Sequence, residues 1–231
     1  MKTIGLLGGM SWESTQTYYR LINEGVKSRL GGLHSAKLVL YSVDFAEIEA
    51  LQHQGDWPAT ARILSGAALS LENAGADFLM IGTNTMHKVA PEVEEAINIP
   101  LLHIADATAK VLTQDNIQRV GLLGTRFTME QAFYRERLEA AGIEVVTPDA
   151  PQRAEVHRVI YEELCQGEIQ AASREAYLAV INSLAEQGAQ AVILGCTEIG
   201  LLIKQTDTPV PLYDTTAIHA AQAVNRALTG D

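Results

Sequence analysis

One cysteine carries two hydrogen-bonding neighbours, in the run Gly195-Cys196-Thr197-Glu198, between an apolar stretch and a helical one. A thiol at the end of a strand that opens a helix meets unpaired N–H groups and the positive end of the helix dipole, and both favour thiolate. The chemistry expected of Cys196 is therefore proton abstraction. Glu198 beside it is expected to orient the thiol or a cationic group of a ligand, and Thr197 to donate a hydrogen bond. A competing reading makes Cys196 an inert, buried, small apolar side chain. Its polar neighbours count against that reading.

A second run, Gly82-Thr83-Asn84-Thr85-Met86-His87, also follows an apolar segment. Hydroxyls, an amide and backbone N–H groups in this order suit recognition of a carboxylate. N-capping by Thr83 or Asn84 is the plain alternative, and the two uses are compatible. Gly5-Leu6-Leu7-Gly8-Gly9-Met10-Ser11 has neither the full dinucleotide-binding glycine spacing nor a phosphate-binding lysine, so a tight turn approaching a small ligand at Met10 and Ser11 is expected. Gly124-Thr125-Arg126-Phe127-Thr128 is its counterpart, with the hydroxyls of Thr125 and Thr128 in place of glycines. His87, next to the Asn84 loop, is expected to pack at a helix start, with contact to a ligand the alternative, and Cys165 to pack within a helix. The six histidines form no metal-binding spacing, and no metal is expected.

These runs are related by an internal repeat. Ile4–Gly8 returns as Val120–Gly124, Gly75–Asn84 as Gly188–Thr197, and Pro100–Ala109 as Pro211–Ala220, in the same order and at nearly constant spacing. A duplicated half-domain accounts for this. The repeat sets Thr83 on Cys196. Halves related by a pseudo-twofold axis would bring those two side chains to one cleft from opposite sides. That arrangement suits removal of a proton from one face of a carbon and its return to the other.

The elements that must position these residues are short apolar strands alternating with longer helical stretches, which means parallel sheets covered by helices. Strands are expected at Thr3–Leu7, Lys37–Ser42, Phe78–Ile81, Leu101–His103, Arg119–Leu123, Glu144–Val146, Ala191–Leu194 and Leu212–Tyr213. The fold expected is α/β, two similar lobes, each a parallel sheet flanked by helices. Lobe 1 is expected to be 1–98 plus 210–231, and lobe 2 to be 99–209. Ligands of open parallel sheets bind beyond the carboxyl ends of the strands, where all four polar runs lie.

A net charge of −11 with no basic cluster argues against nucleic acid as a partner. No apolar stretch approaches a membrane span. Two cysteines make no disulfide framework, so a cytoplasmic protein with free thiols is expected. The expected partner is a small molecule, with a homodimer the one assembly considered.

The motifs GLLGGM, the NT-containing strand end, HIADAT, GLLGT-x-x-T-M and GCTEI-x-LL resemble those of the aspartate/glutamate racemase superfamily over nearly the whole chain. The resemblance implies two α/β lobes and racemisation of an acidic amino acid without pyridoxal phosphate or any other cofactor. Members usually pair a cysteine in a CNT motif, serving the D-enantiomer, with one in a GCT motif, serving the L-enantiomer. This chain keeps the second as Cys196 and reads Thr83-Asn84-Thr85 at the first. It follows that Cys196 and Thr83 are the catalytic pair. Met10, Ser11, Asn84, Thr85, Thr125, Thr128, Thr197 and Glu198 bind substrate, and the L-enantiomer is favoured. The arginine and lysine that hold the distal carboxylate in related aspartate racemases are absent: the loop after the second strand reads Asp44-Phe45-Ala46-Glu47, and Cys165 stands at the lysine. Arg126, or helix N-termini with hydroxyls, would substitute. Two other functions stay open, an arylmalonate-type decarboxylase with one thiol and a non-catalytic binding protein for an acidic amino acid.

Overall fold

The computed structural model describes residues 1–229. The chain divides into two compact units, Met1–Ile104 with the chain from His219 on, and Ala105–Ile218. Each is a parallel α/β sheet with helices, and the two are similar in topology.

The first unit starts with β1 (Ile4–Gly8), every residue of which is buried. Helix α1 (Trp12–Leu30) is capped by Ser11, buries Tyr18, Ile22 and Val26 at four-residue spacing, and stops at Gly31, where φ is +72°. Then come β2 (Leu38–Ser42), α2 (Phe45–Gln54), α3 (Trp57–Asn73) and β3 (Phe78–Ile81). A 3-10 turn over Thr85–Val89 leads into α4 (Ala90–Ala96). The segment around Asp44, expected as loop, is the start of α2: Asp44 Oδ1 accepts from the Ala46 N–H at 3.1 Å. Strand order is β2-β1-β3, all parallel. Of the strand expected at Leu101–His103, only a parallel bridge from Leu101 to Leu79 forms.

This sheet is covered on both faces, which is why its strands are apolar throughout. Leu7, Leu79 and Ile81 pack with Leu64, Ala68 and Leu71 of α3. Ile4, Leu6, Phe78 and Met80 pack with Tyr18 and Ile22 of α1 and with Ala220, Ala223 and Val224 of the returning chain. Each buried Leu or Ile contributes about 1.5–3 kcal/mol.

Helix α5 (Ile104–Gln114) opens the second unit, followed by β4 (Arg119–Gly124), α6 (Arg126–Glu130), α7 (Ala132–Ala140) and β5 (Glu144–Val146). Helix α8 (Ala150–Glu162) starts with a reciprocal cap between Asp149 and Gln152. After it come α9 (Ala171–Glu186), β6 (Ala191–Gly195), α10 (Ile199–Leu202), β7 (Leu212–Asp214) and α11 (Thr215–Thr229). Strand order is β5-β4-β6-β7, again all parallel. With Leu101 counted beside β3, the first unit has the same order, and the GLLG strands β1 and β4 hold the same place in each.

The chain changes unit after Ile104 and after Ile218, later than the expected 98/99 and 209/210. Leu102 N–H donates to Leu79 O at 2.8 Å, keeping that segment with β3. Leu212, Tyr213 and Asp214 pair with β6, keeping β7 in the second unit. No helix among the described residues is long and apolar enough to cross a membrane.

Candidate active site

The predicted site residues fall into two sets, one in each unit, all beyond carboxyl ends of strands. In the first unit, β1 pairs with β3 through Leu7 and Ile81, so the loops after both strands emerge side by side. Gly9 has φ +92°, and a Cβ there would lie 2.3 Å from Val43 O, so only glycine makes this turn. Met10 and Ser11 follow it and are buried. Ser11 Oγ accepts from Ser14 N–H at 3.3 Å, so this side chain serves as the cap of α1. Thr15 Oγ1 accepts from Gly9 N–H at 2.7 Å and donates to Ser11 O at 2.8 Å, locking the turn.

Thr83 is half-buried, while Asn84 and Thr85 are buried. Asn84 stands at the N-cap position of the 3-10 turn but makes no capping hydrogen bond, so capping does not explain its presence. Three successive carbonyls of this loop are held. Ser14 Oγ donates to Gly82 O at 3.1 Å, His87 Nδ1 contacts Thr83 O at 2.8 Å, and His87 N–H donates to Asn84 O at 3.1 Å. His87, expected to pack at a helix start or to touch substrate, holds the Thr83 loop. The spacing of four residues between Thr83 and His87 is the sequence signal that could have found it.

In the second unit the register sets Gly124 opposite Gly195. A Cβ on Gly195 would lie 2.5 Å from Leu123 O, and one on Gly124 2.8 Å from Gly195 O. The two glycines let the strand ends close up, so that Thr125-Arg126 and Cys196-Thr197 leave the sheet as neighbours. Thr125 caps α6, its Oγ1 accepting from Thr128 N–H at 3.4 Å; Thr125 and Thr128 are both buried. Arg126 is exposed; its N–H donates to His157 Nδ1 at 3.1 Å, and its guanidinium has no partner among the described residues.

Cys196 Sγ donates to Glu198 Oε2 at 3.1 Å, and Thr197 Oγ1 donates to the same oxygen at 2.7 Å. Cys196, Thr197 and Glu198 are 9%, 8% and 3% exposed, respectively. This geometry reverses one expectation. Burial, and then the Glu198 carboxylate, push the Cys196 thiol well above its usual range instead of lowering it. The helix that follows, α10, has only four residues, too few for its dipole to compensate. Cys196 is a protonated thiol at rest, its proton directed at a carboxylate. Cys165 lies in a 3-10 turn after α8 rather than within a helix, packed against the apolar cluster that includes Cys196. Among the described residues no group of three His, Cys, Asp or Glu could hold a metal ion.

The chain is similar to proteins of one kind along nearly its whole length. The family model described as Asp/Glu/hydantoin racemase matches residues 7–223. The crystal structure of a candidate Asp/Glu racemase from Yersinia pestis is 60% identical, with a TM-score of 0.92 over 99% of this chain and 100% of that one. An aspartate racemase homologue from Pyrococcus horikoshii OT3 is 36% identical, with a TM-score of 0.85 over 98% of this chain and 99% of that one. The broad specificity amino-acid racemase RacX of Bacillus subtilis is 25% identical over 230 residues, 97% of this chain and 98% of its own. A family match over this span, on a fold with these strand-end loops, leads to one conclusion: the chain is a member of the Asp/Glu/hydantoin racemase family of isomerases.

Proposed function

We propose that this protein is a cofactor-independent racemase of aspartate, glutamate or both, with Cys196 acting on the L-enantiomer and Thr83 on the opposite face of the α-carbon. The observation that carries the reading is the hydrogen bond from the Cys196 thiol to buried Glu198. A thiol aimed at a carboxylate is held protonated until a cation reaches that carboxylate. The ammonium of an incoming amino acid, paired with Glu198, would cancel the negative charge that holds the proton on sulfur. The thiol would then ionise as substrate binds: its proton leaves to solvent, and the thiolate takes the α-proton. Asn84, Thr85 and Thr197 are assigned to the α-carboxylate, where hydrogen bonds stabilise the charge that develops on loss of the α-proton. Met10, Ser11, Thr125 and Thr128 complete the substrate loops. The Arg126 guanidinium, without a partner among the described residues, is assigned to the distal carboxylate. Thr83 delivers a proton to the other face, directly or through water, and regains one from solvent, which yields the D-enantiomer.

The test is α-hydrogen exchange in deuterium oxide with both enantiomers of aspartate and glutamate, with chiral analysis of the product. Exchange should start readily from the L-forms and slowly from the D-forms, because a threonine hydroxyl is a far poorer base than a thiolate. Thr83→Cys should raise the D-side rate most. Equal initial rates from D and L, or no D-side gain in that variant, would remove the support for one thiol and one hydroxyl.

The raised Cys196 pKa also suits a second reading, a decarboxylase in which the thiol only donates a proton to an enediolate. Carbon dioxide release from an arylmalonate, without α-hydrogen exchange on acidic amino acids, would favour it.

A further inference from the structure

His87 lies in a buried cluster that the assignments above do not use. Its two ring nitrogens have opposite partners. Nδ1 lies 2.8 Å from Thr83 O, which can only accept, so Nδ1 carries the hydrogen. Nε2 receives the Ile104 N–H at 3.2 Å, so Nε2 carries none. Both contacts together require one neutral tautomer. The ring is 2% exposed and walled by two more buried histidines, His103 with ring centroids 4.3 Å away and His219 at 6.0 Å. His219 is tied in turn to Tyr18 Oη at 2.9 Å and Leu102 O at 2.8 Å.

We infer that His87 is the positioning residue of the Thr83 loop, its Nδ1–H on the Thr83 carbonyl setting the direction of the Thr83 hydroxyl. This rests on the reading of Thr83 as the proton donor for the second face. Of the three loop carbonyls, Thr83 O is the one held by a side chain whose far end is anchored on another segment, at Ile104. Gly82 O is held by a serine of α1, and Asn84 O by backbone. In the second unit the equivalent carbonyl, Cys196 O, accepts from the Ile199 N–H at 3.1 Å, a backbone contact. The Thr83 loop thus has a side-chain strut at the very residue that differs chemically between the repeats. Freeing the carbonyl lets the peptide rotate, and the hydroxyl loses its aim while Cys196 keeps its own. A displacement of about 1 Å in a reacting group costs on the order of a hundredfold.

The experiment compares His87→Ala, His87→Asn and His87→Gln by two rates measured on L-aspartate and L-glutamate in deuterium oxide: α-hydrogen exchange without inversion, and formation of the D-enantiomer. Asparagine places an N–H donor near Nδ1 and so keeps the Thr83 contact. Glutamine places its carbonyl near Nε2 and so keeps only the Ile104 contact. D-formation should fall roughly tenfold to a hundredfold in His87→Ala and His87→Gln, with exchange from the L-side nearly intact. His87→Asn should recover most of the loss. A general loss of structure would lower both rates together, and recovery by glutamine but not asparagine would place the effect at Ile104; either result overturns the assignment. Nitrogen-15 NMR of the unmodified protein tests the tautomer without any variant, and a protonated Nε2 on His87 would contradict it. Should the unmodified protein exchange no α-hydrogen at all, the racemase reading fails, while the NMR result still reports on the strut.

Discussion

Burial and the Glu198 carboxylate both hold the Cys196 proton on sulfur. With its pKa raised, the thiolate fraction keeps growing as pH rises above neutrality. The rate of α-proton removal from L-substrate should climb across that range rather than level off near pH 7. Glu198→Gln removes the negative charge and leaves the burial. The thiol pKa then falls toward its usual value, and the rising limb of the pH–rate profile moves to lower pH. An unmoved limb, or one displaced upward, would mean that Glu198 does not act on the thiol. Cys196→Ser keeps the shape and replaces the thiol by a hydroxyl, a much weaker acid. Turnover should drop by about a hundredfold to ten-thousandfold, the usual worth of a positioned acid or base. Ligand binding, followed by calorimetry, should survive the change. Cys165→Ser serves as the control and should be nearly silent; strong loss there would move the assignment to the other cysteine.

At the scale of elements, the second-unit loops are neighbours because two strands end in glycines that face each other. Gly124 and Gly195 are partners in the β4–β6 register, and neither has room for a Cβ. Gly195→Ala would press a methyl group on Leu123 O, backbone that cannot swing aside. We expect a loss of about 1–3 kcal/mol in stability, the usual cost of overpacking, together with reduced activity from displacement of Cys196. Denaturant unfolding with an unchanged slope would measure it, and a midpoint equal to that of the unmodified protein would show that the strand ends can separate freely. Gly82, the equivalent of Gly195 in the first unit, is less crowded, its nearest contact being Leu7 O at 3.4 Å. The same substitution there should cost less.

At the scale of the molecule, the chain leaves the first unit after Ile104 and comes back at His219. That returning residue is fully buried and bridges α1 to the segment before α5, through Tyr18 and Leu102. Burial lowers its pKa to about 4 from 6.5. Between those values the unfolded chain binds the proton and the folded chain does not. The stability this neutral histidine preserves is complete above about pH 6.5 and is lost as pH falls toward 4, by about 3 kcal/mol for a shift of this size. His219→Gln cannot titrate. Its urea midpoint should start lower at pH 7 and fall less between pH 7 and pH 4.5 than that of the unmodified protein. An equal fall in both would show that carboxylates alone govern the acid limb. A purely thiol and hydroxyl mechanism also predicts that activity persists after dialysis against a chelator and in hydroxylamine. Loss restored by a metal or by pyridoxal phosphate would refute it.

The amino-acid sequence by itself determined the alternation of strands and helices and the place of the central strands. Short apolar runs marked β1, β3, β4 and β6, because a strand buried on both faces has no polar side. The repeated GLLG and the aligned Gly82-Thr83 and Gly195-Cys196 marked the strand-end loops before any strand was paired. These signals are local: periodicity, small residues at turns, polar residues where a sheet ends. The tertiary structure alone decided the protonation state of Cys196, because it depends on burial and on which way Glu198 turns. It alone decided the unit boundaries, through the pairing of Leu101 and β7. It also gathered His87, His103 and His219, which no spacing along the chain relates, into one buried cluster behind the Thr83 loop. A proton's affinity is set by everything within a few ångströms, and most of what surrounds a buried group comes from distant parts of the chain.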